Sequence, residues 1–137
     1  MKTINISEAT NIQIDYLVAK VLGQNVRIQG TTRKYLVFGL TDAEGTARFR
    51  PSTSYDQGMP ILEREGVAIL KISSGEWAAC IETGQQATRH SEFNDGYPFY
   101  FFERDEMVVG PTILIAGLRC YLVSKLGETA EVPEELA

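Results

Sequence analysis

One guanidinium sits in the middle of the most apolar stretch of the chain. Arg119 lies inside the run from Ile113 to Leu126, which is entered through Gly110-Pro111-Thr112 and closed by Gly127. A permanently charged group among aliphatic neighbours needs a carboxylate, a set of carbonyl oxygens or an anionic ligand. The start of the same run, at Gly110 and Thr112, would leave backbone N–H groups free. This is the end of a helix that attracts anions. A second concentration of polar chemistry is Phe49-Arg50-Pro51-Ser52-Thr53-Ser54-Tyr55-Asp56-Gln57-Gly58-Met59-Pro60. Arg50 suits a phosphate there, while Ser52, Thr53, Asp56 and Gln57 offer hydroxyl, carboxylate and amide groups to a ribose or base edge. The same residues would also make a self-bonded loop, with Ser52 or Thr53 capping a turn and Asp56 forming an Asx-turn. A third candidate is the aromatic segment Tyr97 to Phe102. Tyr100, Phe102 and Arg104 share one face, which suits either stacking on a flat base or cover by another element.

Other chemistries find little support. The single histidine, His90, lies in a polar segment, and Cys80 and Cys120 have no metal-ligand spacing. Glu63, Glu65 and Glu76 could act as acid or base, but nothing in the sequence pairs them. No Gly-rich phosphate loop is present. The expectation is therefore a protein without catalytic residues, metal or cofactor.

Composition agrees with a folded, water-soluble domain. The chain has 137 residues, 44% hydrophobic and 23% charged, with a formal net charge of −5. That charge disfavours nucleic acid as a partner, although Arg48 and Arg50 stand close together. Arg119 and Lys125 interrupt the one run long enough to suggest a membrane span, and the N-terminus has no apolar signal core. Cytoplasmic localisation is expected.

These residues must be positioned by a small set of elements. Ile14, Leu17, Val18, Val21 and Leu22 recur at helical spacing, which predicts a helix over 10–22 with Gln13, Asp15 and Lys20 on its polar side. A second helix is predicted over 112–126. Between them lie strand-like runs at Val26–Ile28, Tyr35–Phe38, Val67–Ile72, Glu76–Glu82 and Tyr97–Phe102. Residues 84–96 read as a loop, 61–66 as one helical turn, and 128–137 as a frayed acidic tail. The predicted fold is a single α+β domain (1–137) with an antiparallel sheet of about five or six strands flanked by an N-terminal and a C-terminal helix. The apolar surface all round the second helix also predicts a homo-oligomer.

Three blocks resemble the phage NinX-like proteins, small accessory proteins of tailed phages. They are Ile14-Asp15-Tyr16-Leu17-Val18-Ala19-Lys20 with Gly23, Pro51 through Glu65, and Gly110-Pro111-Thr112 through Gly127 with Val132-Pro133-Glu134. Tyr55 and Met59 depart from the pattern. The resemblance implies a phage or prophage protein acting in a bacterial cytoplasm and carries no activity with it. A likeness of layout alone extends to phage proteins that sequester cyclic ADP-ribose-type signals, which suggests an anti-defence sponge. The expected function is binding and sequestration of a small anionic, nucleotide-derived ligand by Arg50, Ser52, Thr53, Asp56, Gln57, Phe102, Arg104, Gly110, Thr112 and Arg119. The rival expectation is a protein-interaction module that inhibits a host factor through its acidic surface, with Arg119 neutralised by a buried carboxylate. A third is a nucleotide-directed enzyme using Glu63 or His90.

Overall fold

The computed structural model describes residues 1–38, 48–73, 75–81, 87–90, 99–102 and 107–137, the side chains of 87–90 and 99–102 being left aside. The two predicted helices stand where their periodicity puts them: α1 spans Asn11–Leu22 and ends at Gly23, and α3 spans Ile113–Leu126 and ends at Gly127. The fold is α+β with antiparallel strand pairing, but the single sheet expected from the sequence is split into small pieces. Strands β1 (Lys2–Asn5) and β9 (Thr129–Val132) form one pair, and β2 (Val26–Gln29) and β3 (Tyr35–Phe38) a second. Strands β4 (Val67–Ser73), β5 (Glu76–Ile81) and β8 (Val108–Gly110) form a three-stranded sheet in that order. Strands β6 (Ala87–His90) and β7 (Phe99–Phe102) form a further pair, so part of the predicted loop over 84–96 is a strand.

The split has a packing reason. Helix α3 lies between two apolar clusters instead of flanking one sheet. On one side Leu114, Leu118, Tyr121 and Leu122 pack with Ile14, Leu17 and Val18 of α1, with Leu36 and Phe49, and with Ile61 and Leu62. On the other side Ala116 and Cys120 meet Ala79, Ile81 and Val108 of the three-stranded sheet. A helix buried on both sides reads as apolar all round. Both of these faces of α3 are thus covered from within one chain.

Two further expectations are corrected. The acidic tail is not frayed: β9 pairs with β1, Val132 is fully buried, and Leu136 is 5% exposed. Ala130, Val132 and Leu136 turn inward while Glu131, Glu134 and Glu135 face solvent, so an acidic composition hides an apolar alternation. The polar stretch before Glu65 is not a long loop with one helical turn. It contains helix α2, Tyr55–Glu65, with Pro60 inside it. Gly58 and Pro60 read as breakers, yet Gly58 serves close approach. A Cβ there would overlap the Pro51 carbonyl oxygen and come within 2.7 Å of Leu114 Cδ2. Gly58→Ala is therefore expected to destabilise the fold by about 1–3 kcal/mol. An unchanged thermal denaturation midpoint would contradict this contact.

Candidate functional site: a polar cavity between α1 and the Arg48–Thr53 turn

The site is assembled by backbone pairing onto β3. An antiparallel bridge joins Arg48 to Val37, and Phe49 N–H donates to the Leu36 carbonyl at 2.9 Å. Phe49 is buried, and its ring meets Phe38 edge-on with centroids 5.1 Å apart. With Phe49 anchored, Arg48 and Arg50 on either side of it are exposed. The chain then turns, Thr53 and Ser54 N–H both donating to the Arg50 carbonyl. Gln57 holds this turn from α2. Its side-chain oxygen accepts from Arg50 N–H at 2.7 Å, and its amide donates to the Arg48 carbonyl at 2.8 Å.

The turn closes on α1 through Asp15. Ser52 N–H donates to Asp15 Oδ1 at 2.8 Å, and the Ser52 hydroxyl donates to the Asn11 carbonyl at 3.2 Å. Asp15 and Gln13 belong to the side of the helix expected to face solvent, yet they are only 6% and 7% exposed. The Arg50–Ser54 turn covers one, and the C-terminal segment covers the other, Gln13 donating to the Leu136 carbonyl at 2.8 Å. Burial pushes the Asp15 carboxyl up to about 7, against the opposing effect of its bonds from Ser52.

Between these elements lies a cavity of about 220 Å³, lined by Asn11, Ile12 and Asp15 of α1, Lys34, Tyr35 and Leu36, and Arg48, Phe49, Arg50 and Thr53. Three cations share this cavity. The Arg48 guanidinium stacks on the Tyr35 ring, 4.3 Å from its centre. Stacking occupies the face of the guanidinium and leaves its in-plane N–H donors available. Lys34 lies 3.9 Å from Glu135 in a partly exposed pair. Among the described residues Asp15 forms no ion pair with Lys34, Arg48 or Arg50. The cavity is therefore polar, lined by three cations and by one buried carboxylate.

The predicted site residues divide accordingly. Arg50 and Thr53 line the cavity, and Ser52 and Gln57 hold its wall. Asp56 is exposed in the first turn of α2, outside the lining. Arg119 is committed elsewhere. Its Nε and Nη2 donate to the Ala9 carbonyl at 3.2 and 2.7 Å, and its Nη1 donates to the Val109 carbonyl at 3.0 Å. Of the partners weighed for it, a set of carbonyls is the one observed. Burial lowers its pKa, and the nearby Glu8 charge partly restores it. The entry of α3 is likewise closed on itself: Thr112 Oγ1 accepts from Ile115 N–H at 3.1 Å, and the Thr112 carbonyl accepts from Ala116 N–H at 3.0 Å. Gly110 is buried against this turn, where a Cβ would lie 2.6 Å from Ala116 N. Phe102 belongs to β7, but its side chain, like Arg104 and the His90 side chain, lies outside what is described.

Asp15, Lys34, Tyr35 and Arg48 were missed as site residues. The available signal was the spacing of Asn11 and Asp15, one helical turn apart on the edge of the apolar face. Among the described residues no group of three or more His, Cys, Asp or Glu could hold a metal ion, and no helix is long and apolar enough to cross a membrane. Both cysteines are buried, and burial pushes Cys120 up to about 12, away from thiolate chemistry.

The fold and cavity define a class: a small α+β protein built around a central helix, with a cation-lined polar cleft among its described residues. Residues 5–125 match the family described as "Bacteriophage P22, NinX", and the chain belongs to that family. No curated protein matches it.

Proposed function

We propose that the protein binds a small anionic, nucleotide-derived ligand in the cavity between α1 and the Arg48–Thr53 turn. It holds the ligand without transforming it. The observation that carries this reading is the gathering of Lys34, Arg48 and Arg50 on one cavity in a chain of net charge −5. Cations concentrated against the overall charge are the ordinary means of holding a phosphate. Arg48 and Arg50 supply the donors, and Gln57 fixes the backbone of both. The volume sets the scale of the ligand. At about 220 Å³ the cavity falls below the roughly 300–1,000 Å³ of drug-sized sites, so it encloses a sugar-phosphate portion and leaves the remainder outside. In a phage protein such binding would remove a signalling nucleotide from its receptor.

The test is a calorimetric titration with AMP and with ADP-ribose. Arg48→Met and Arg50→Met should each weaken binding by about tenfold or more, the loss of one charge-assisted contact. Arg119→Met, where it remains folded, should bind normally. Binding that survives both cavity substitutions would place the ligand elsewhere.

A further inference from the structure

The cavity holds a carboxylate as well as cations, and the carboxylate says more about the ligand than the cations do. Asp15 lines the cavity although it is only 6% exposed. A carboxylate has room for about four hydrogen bonds. Asp15 is bonded from Ser52 alone, by its N–H at 2.8 Å and by its hydroxyl, which is shared with the Asn11 carbonyl, and this leaves part of that capacity unused. The carboxylate does not pair with Lys34, Arg48 or Arg50, though all three line the same cavity. Above about pH 7, where Asp15 is ionised, a bare phosphate would gain nothing from the carboxylate and would be repelled by it. A ligand carrying a neutral hydrogen-bond donor a few atoms from its phosphate would satisfy the cations and the carboxylate at once. Hydroxyls stand at that spacing in a sugar phosphate.

We propose that Asp15 is a specificity-determining residue of this cavity, accepting a hydrogen bond from a ligand hydroxyl so that sugar phosphates are taken in preference to simple phosphate esters. The inference rests on the anion-binding reading above and adds the selectivity of the site to it. The structural duty of Asp15, holding Ser52 N–H, is kept by asparagine, whose side-chain oxygen still accepts. Its other atom becomes a donor and no longer receives the hydroxyl.

Ribose 5-phosphate and methyl phosphate separate the possibilities, since both are phosphomonoesters and only one carries hydroxyls. At pH 8, where Asp15 is ionised, the wild-type protein should bind ribose 5-phosphate about tenfold more tightly than methyl phosphate, the value of one hydrogen bond to a charged acceptor. In Asp15→Asn that preference should fall to within about twofold. Equal binding of the two esters by the wild type would overturn the selectivity while leaving the anion site standing, and this comparison needs no variant. Retention of the tenfold preference in Asp15→Asn would remove Asp15 from the role. Binding of neither ester would overturn both proposals together.

Discussion

Arg119→Met is expected to lower the melting temperature by about 10 °C. The guanidinium ties α3 to the Ala9 carbonyl, 110 residues away in sequence, and to the Val109 carbonyl at the end of β8. Methionine preserves much of the apolar stem and removes every donor. Ala9 is 1% exposed, so water cannot replace the lost bonds there. Stranding a buried acceptor costs about 1–3 kcal/mol, and two acceptors are involved. For a domain of this size each kcal/mol corresponds to roughly 3–4 °C. Arg119→Lys should recover only part of the loss, since one ammonium cannot span both carbonyls in the same geometry. An unchanged melting temperature together with lost ligand binding would return Arg119 to the anion site suggested by the sequence.

Asp15→Asn is expected to change the pH dependence of stability. Burial pushes the carboxyl from its ordinary value of 3.8 up to about 7 in the fold. The folded state therefore holds a proton that the unfolded chain releases earlier. Stability is fully present below about pH 4 and is lost as pH rises through about 7. The shift sets a ceiling of about 4 kcal/mol on the loss. Asparagine does not titrate and escapes it. The stability difference between variant and wild type should grow in favour of the variant from pH 4 to pH 8 and then level off. Denaturant midpoints at several pH values measure this, and a difference that stays flat across the range would show that Asp15 is not held in the buried environment described.

The elements that were legible in the sequence are those whose signal is local. Periodicity and end signals placed α1 and α3 to within a residue, and the strand-like runs at Val26–Ile28 and Tyr35–Phe38 became β2 and β3. What was not legible depends on contacts distant in sequence. Helix α2 tolerates Gly58 because Pro51 and Leu114 crowd that position, a fact that no local rule contains. Asp15 and Gln13 are buried by partners 37 and 123 residues away, so the helical pattern placed them on the wrong side. The need of Arg119 for a partner was evident from its apolar setting, but whether carbonyls or an anion supplied it could not be read. Half of the candidate site was visible in the same way. Arg50, Ser52, Thr53 and Gln57 announced a polar turn, while Lys34, Tyr35 and Arg48 join it only through the pairing of Val37 with Arg48.

The central claim is that this cavity binds the anionic part of a nucleotide. Titrating the unaltered protein with AMP and with adenosine at low ionic strength tests it most directly, because the two differ only in the phosphate. The account predicts saturable binding of AMP that weakens as salt is added, with adenosine at least tenfold weaker. Equal binding of the two, or no binding of AMP, would contradict it.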